Sequence, residues 1–273
     1  MSELTFPVRY YRIHPYGVGM AQPAKAFLGY AEKRITVPLA EAALVLVHHW
    51  NEGFPEGLSP WLEHPECNGY LEYVTRARPI IEERVVPLLA DARRAGLTVV
   101  HLVSGPYAEK YPQYQATKEL AGPEPEPEPG SVRTDWMRER AEECYGPGFW
   151  EHHPPTTDTS QPRHRDIPEC VRPLPDEIMA ANGRQLNRVL RERGIWTLLY
   201  TGFLTNVCLT HSPGAMIDMI NRGYRCVVLR DCTTSGEQAD TVDEMLNYRA
   251  AIRYFEYTLA YSALSEEVRR GLG

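Results

Sequence analysis

The chain is short of basic residues. Its 273 residues hold 29 Lys and Arg against 36 Asp and Glu, a formal net charge of −7. No long basic run offsets this, so nucleic acid is not an expected partner. Long apolar runs are missing too. None approaches the ~18 residues that a membrane-spanning helix needs. The opening MSELTFPVRYYRIHPYG lacks the apolar centre of a secretory signal, and a cytoplasmic protein is expected. Cysteine is sparse: Cys67, Cys144, Cys170, Cys208, Cys226 and Cys232 are too few and too scattered for a disulfide scaffold. There is no glycine-rich dinucleotide loop, so no redox cofactor is implied. No internal repeat is visible. What is present is a 43% hydrophobic fraction, ordinary for a soluble chain that buries one full core.

Patterning predicts alternating strands and helices. Apolar strands are expected at Ala42–His48, Thr98–Val103, Ile195–Thr201 and Arg225–Arg230. Helices are expected at about Leu71–Ala95 (interrupted by Pro79 and Pro87), Asp176–Arg193, Asn206–Asn221 (kinked at Ser212-Pro213-Gly214) and Asp240–Tyr257. Alternation of this kind argues a parallel sheet covered by helices on both faces. Ligands then bind beyond the carboxyl ends of the strands, where His48, Val103 and Thr201 all fall. Residues 1–40 read as an irregular Pro- and Tyr-rich arm over the domain or a neighbouring subunit. Residues 41–273 read as one domain. The stretch 104–170 does not fit a compact crossover. It holds PEPEPEPG, which cannot be helix or inner strand, and reads as an insertion or cap.

The most informative segment is LLYTGFLTNVCLTHSPGAMIDMINRGYRCVVLRD. A buried strand is broken by Gly202. Thr205 and Asn206 are good N-cap residues. Cys208 therefore falls in the first turn of a helix, where backbone N–H groups and the helix dipole favour a thiolate and can hold an oxyanion. Taken alone, Cys208 could equally be a small buried hydrophobe.

GFLTNVC followed by GYRCVVLRDCTTS resembles the isochorismatase-like cysteine hydrolases. The matching residues are Gly202, Thr205, Asn206, Cys208, Gly223, Tyr224 and Asp231, and the resemblance covers roughly residues 40–104 and 170–260. It implies a three-layer α-β-α fold with a mostly parallel, doubly wound sheet. It also implies a Cys, Asp and Lys triad that hydrolyses small amides or a vinyl ether, and a cis peptide joining Phe203 to Leu204. The amides of Leu204 and Cys208 would form the oxyanion hole. A homo-oligomer and a small-molecule substrate are expected on the same ground, with no metal.

The chain departs from the family pattern at both other triad positions. Aligned on Asn51, the family Asp position is His48, and the nearest match to the family Lys is Arg172. The implied triad is thus Cys208, His48 and Arg172. A neutral imidazole can take the thiol proton, and a permanent guanidinium suits a carboxylate or an oxyanion. Trp50, Asn51, Phe203 and Tyr107 are candidate substrate contacts, and Tyr111 could stack with them. Glu52 could orient His48 or make a loop salt bridge. His101 suits a core or site wall better than catalysis. Asp231 suits a turn, and Glu237 could cap the last helix. His152, His153 and His164 suit a solvated loop better than a zinc site. The expected function is hydrolysis of a C–N bond in a small amide, ureide or carbamoyl compound through a thioester. Two other readings stay open: a catalytically silent member that binds a small molecule or protein, and a metal-assisted hydrolase using His48 and His49.

Overall fold

A computed structural model describes residues 2–12, 22, 25, 28–57, 72–125, 135–145, 165–258 and 260–273. The central strands form because their residues are apolar on both faces. Strand β3 (Ala42–Val47) and strand β6 (Thr197–Gly202) have every residue buried, the pattern of parallel strands covered on both sides. Around them lie β4 (Thr98–Leu102), β5 (Ile178–Ala180), β7 (Arg225–Leu229) and β8 (Tyr261–Ala263). The strand order is β5, β4, β3, β6, β7, β8, all parallel. Strands β1 (Glu3–Arg12) and β2 (Gly29–Pro38) extend the sheet beyond β8 as an antiparallel hairpin.

Helices cover both faces. One face is packed by α1 (Val74–Ile80), a π-helical stretch Ile81–Val85 and α2 (Val86–Ala95), with the C-terminal helix Ser265–Gly271 beside them. Ala77, Ile81, Leu88 and Val268 meet Leu44, Leu46, Leu199 and Val227 there. Three helical pieces follow β4: α3 (Gly105–Ala108), α4 (Pro112–Ala121) and α5 (Asp135–Tyr145). The other face is packed by α6 (Gly183–Glu192), α7 (Cys208–His211), α8 (Met216–Asn221) and α9 (Leu246–Thr258). Leu186, Val189, Leu209, Met216, Met219, Ile252 and Phe255 meet Val45, Val100, Leu198, Tyr200 and Val228. This is the expected three-layer α/β fold.

Several boundaries differ from the expected ones, each for a physical reason. Within residues 1–40, the described stretches Glu3–Arg12 and Gly29–Pro38 are strands rather than irregular chain: Leu4, Phe6 and Val8 alternate into the core, and this period of two makes β1 a strand. The helix expected from Asp176 begins only at Gly183. Ile178–Ala180, three apolar residues, pair with β4 instead, and the Asn182 side chain caps the helix by accepting from the Gln185 amide at 2.9 Å. The expected helix from Asn206 to Asn221 is two short helices. Its break at Ser212–Ala215 is held by Gly214 (φ 85), whose N–H donates to Asp218 and whose carbonyl accepts from the Tyr200 hydroxyl. The helix expected from Asp240 starts at Leu246, because Glu237 accepts the amides of Asn247 and Tyr248. The long helix after β3 continues through both prolines, and its π-helical stretch lies between them.

The burial of β1 makes a testable prediction. Phe6 is fully buried, so Phe6→Ala should cost about 3–5 kcal/mol, the usual range for an aromatic core deletion. Urea unfolding of the full chain measures this. A cost near zero would mean that the hairpin rests on the domain as an appendage.

Candidate active site

The site forms where β3 and β6 end side by side. Val47 pairs with Gly202, and the Phe203 amide donates to the Val47 carbonyl at 3.2 Å. Gly202 has φ 143, and a side-chain carbon there would sit 2.1 Å from the Val47 carbonyl oxygen, so only glycine lets the two backbones approach this closely. Beyond it the peptide from Phe203 to Leu204 is cis, as the resemblance implies. The chain then turns into α7, which Cys208 opens. Thr205 is locked below by the Thr234 carbonyl (2.9 Å) and the Thr233 hydroxyl (2.6 Å). Across the gap, His48 leaves β3 in a left-handed conformation (φ 47) that few side chains adopt.

Cys208 is partly buried. Burial pushes its thiol above the ordinary range. A hydrogen bond from Ser212, the Leu204 amide directed at the sulfur and the positive charge of Arg165 work the other way, and Glu52 adds to the rise. The sequence implies a thiolate here. The structure gives a protonated thiol, because desolvation outweighs the few donors of a four-residue helix.

The His48 ring stacks on Trp50 (centroids 5.3 Å, planes 24° apart), and its Nε2 lies 3.4 Å from the Ser104 hydroxyl. Burial, then the charge of Arg165, lower its pKa to about 4. His48 is therefore a neutral imidazole at physiological pH. Among the described residues no hydrogen bond joins it to Cys208.

The two expected charges are arranged differently from the sequence reading. Arg172 is half-exposed and pairs with Asp166 at 3.5 Å. The cation whose charge acts on both Cys208 and His48 is Arg165. Its Nε donates to Glu52 at 2.7 Å and its Nη2 lies 2.5 Å from the same carboxylate. The guanidinium lies 5.6 Å from the Trp50 ring centre and 5.9 Å from that of Tyr107. Glu52 is buried and also accepts from the Tyr73 hydroxyl. It thus makes a salt bridge to Arg165, and among the described residues no hydrogen bond joins it to His48.

Asn51 turns out to hold the backbone. Its amide donates to the Asp166 carbonyl (2.8 Å), and its side-chain oxygen accepts from the Asp166 amide (3.0 Å). Asp166 in turn accepts from Tyr111 at 2.5 Å and pairs with Lys110 at 2.7 Å. Trp50 and Tyr107 meet edge to face at 5.1 Å. A small cavity is lined by His48, Trp50, Glu52, Tyr73 and Phe203. The structure therefore gathers His48, Trp50 and Phe203 together with Glu52 and Tyr73.

Arg165, Tyr73 and Ser104 were not legible as site residues. Arg165 lies in the polar run RHRD, and no strand or helix signal marks where it returns to the sheet.

A second polar group lies beside the site. His49 is buried against Phe203, with Nε2 3.3 Å from the Thr201 hydroxyl and Nδ1 without a partner. His48 and His49 thus engage different neighbours. Among the described residues no three His, Cys, Asp or Glu side chains are grouped to hold a metal ion. His101 is a satisfied core histidine, 2.9 Å from Glu177. Burial would raise the Glu177 pKa, but bonds from His101, Arg93 and the Leu174 amide bring it to about 2. Asp231 caps the C-terminal helix through the Ser265 amide and hydroxyl (2.8 and 2.6 Å). Cys67, His152, His153 and His164 lie outside the described residues. Among the described residues no helix is long and apolar enough to cross a membrane.

The histidines dictate a pH response. Burial lowers His49 to about 3, with His101 and His48 adding to the shift; burial also lowers His101, against the pull of Glu177. Below an unfolded-state pKa near 6.5, the unfolded chain binds protons that the native chain refuses, so stability falls as pH drops. Between about pH 6.5 and 4.5, where carboxylates change little, each such histidine costs at most ~1.4 kcal/mol per pH unit. Urea midpoints should therefore fall from pH 7 to pH 5, and His49→Gln should shallow that fall. An unchanged slope in the variant would mean that His49 takes up its proton in the native state as easily as in the unfolded one.

Comparison with known proteins agrees with this geometry. A family model described as the isochorismatase domain matches residues 149–258. Ureidoacrylate amidohydrolases RutB from two strains of Methylorubrum extorquens are 31% and 30% identical over 212 residues, spanning 74% of this chain and 79% of the relative. An isochorismatase-like hydrolase from Alkaliphilus metalliredigens superposes with a TM-score of 0.50 at 15% identity, covering 85% of this chain and all of that one. With a cysteine opening the helix after β6, a cis peptide before it and a parallel sheet beneath, the chain belongs to the isochorismatase family of hydrolases.

Proposed function

We propose that the protein hydrolyses a C–N bond of a small, anionic ureido or carbamoyl compound, with Cys208 as the nucleophile. The observation that carries the reading is that Cys208 opens the helix after β6, just past the cis peptide of Phe203–Leu204, while the neutral His48 imidazole leaves the end of the adjacent strand β3. The thiol must lose its proton as it attacks, because it does not ionise beforehand. His48 takes that proton while sulfur bonds to the carbonyl carbon. The amides of Leu204 and Cys208 hold the developing oxyanion. The tetrahedral adduct collapses, the C–N bond breaks, and the imidazolium returns its proton to the departing nitrogen. Water then cleaves the S-carbamoyl intermediate, releasing carbamate and restoring the thiol.

Arg165 supplies the positive charge in this reading, in place of Arg172. A guanidinium over two aromatic rings suits a substrate carboxylate. The curated relatives are named for ureidoacrylate, a ureido acid, whose carboxylate would meet the Arg165 guanidinium beside Glu52 in this reading. Trp50, Tyr107 and Phe203 would then contact the rest of the substrate.

Cys208→Ala should abolish turnover, and His48→Ala should lower kcat about 10²–10⁴-fold. Arg165→Ala should raise KM and lower kcat/KM for ureido acids, while Arg172→Ala stays near the parent. The reverse order for the two arginines would return the role to Arg172. Turnover of no amide, ureide or carbamoyl acid, with Cys208 still open to alkylation, would make the chain a silent binding member of its family.

The raised thiol predicts a second profile. Iodoacetamide labelling of Cys208 should rise about tenfold per pH unit through pH 8, because only the thiolate reacts. At pH 7 the exposed Cys144 and Cys170 should label first. A Cys208 rate that is already flat at pH 7 would show a preformed thiolate and remove the need for a base.

A further inference from the structure

We propose that the outer edge of β2 is a homodimer seam, where two copies pair β2 against β2 into one continuous sheet. β2 is the last strand in the order and hydrogen-bonds only to β1 among the described residues. Its ten residues pair with β1 without a bulge, from Glu3 opposite Pro38 to Arg12 opposite Gly29. Long, flat, exposed edges invite pairing. Chains that stay single blunt them with short strands, bulges, inner prolines or outward lysines. Here the only proline is Pro38, at the strand end.

The charged residues of this edge are not arranged to repel a second copy. The Lys33 ammonium is drawn back over its own sheet. It donates to the Tyr261 hydroxyl at 2.8 Å and lies 4.6 Å from that ring and 5.6 Å from Tyr10. Glu32 and Arg34 share the opposite face and are exposed. Among the described residues neither has an ion pair or hydrogen bond through its side chain. The edge is also rigid: Tyr30 packs on Tyr11 and under Arg9, which is paired with Glu256. Little ordering is left to be lost on association.

Symmetry then selects the register. A twofold axis perpendicular to the sheet keeps each face on its own side, so facing residues must have equal parity. Centred on Lys33, the pairing sets Glu32 against Arg34 of the partner subunit, twice, and Tyr30 against the partner's Thr36, a favourable aromatic and β-branched pair. The two Lys33 residues then meet at the axis, but each ammonium is held back over its own sheet by Tyr261. Centred on Glu32 or on Arg34, the pairing would instead set face to face at the axis two like charges that make no side-chain ion pair or hydrogen bond of their own among the described residues.

Sedimentation velocity of the full chain over a range of concentrations tests the seam. The parent should be dimeric and weakened by salt. Glu32→Arg and Arg34→Glu should each raise the dimer Kd on the order of tenfold. The double swap, Glu32→Arg with Arg34→Glu, should return it to within about threefold of the parent. Circular dichroism checks that the exposed substitutions leave the fold intact. A parent that stays monomeric overturns the proposal. So does a dimer indifferent to both single swaps, which would lie on another surface. Single swaps that weaken the dimer without rescue by the double one overturn it too.

Discussion

The buried ion pair of Glu52 and Arg165 organises the site. Glu52 lies five residues past the end of β3, and Arg165 begins the segment that leads back to β5. The pair lies among Trp50, Tyr73 and Tyr107, and removing one partner of a buried ion pair commonly costs about 3–5 kcal/mol. Asn51 adds two backbone bonds to Asp166 next door. Three adjacent side chains of the strand-end loop, Trp50, Asn51 and Glu52, thus place the chain that carries the site's cation. The position of Arg165 over the strand ends follows from the loop, not from any helix or strand of its own.

That cation shapes the chemistry on both sides of the gap. It lowers the Cys208 thiol, but burial and Glu52 raise it further. It also pushes His48 toward the neutral form. A resting thiolate–imidazolium pair is thereby disfavoured at both ends. What remains is a neutral thiol and a neutral imidazole, so in the proposed reaction proton transfer accompanies bond formation. The oxyanion donors proposed for it are backbone amides at the turn of Phe203–Leu204, which need no charge of their own and no rearrangement.

Much of the fold was legible because its signals are local. Runs such as AALVLV and TLLYTG are buried on both faces and announce parallel strands. Gly202, Thr205 and Cys208 announce the turn. The α/β class and the Cys208 position follow from these alone. The misses share a different character. β5 is three residues long and means nothing without β4 beside it. β1 was obscured by Pro7 and the tyrosines around it, although Leu4, Phe6 and Val8 alternate. Arg172 was chosen as the nearest match to the family Lys before the helix that leads to β6, a one-dimensional argument. Arg165 reaches the site through Glu52, a contact across more than a hundred residues that no period or spacing encodes. Asn51 looked like a substrate contact because it stands in the motif, and its side-chain oxygen accepts from the Asp166 amide.

The resemblance implies an acid at position 48 and a lysine farther on, and Glu52 stands where the same motif carries its second acid. Here that acid is paired with Arg165. His48 adds no charge to the pair: burial and the guanidinium hold it neutral, and it stacks on the same Trp50 ring that Arg165 lies over. An imidazolium at position 48 would set a second cation near Arg165 in a desolvated site, which is costly. In the proposed reaction the group at position 48 therefore acts as an uncharged base.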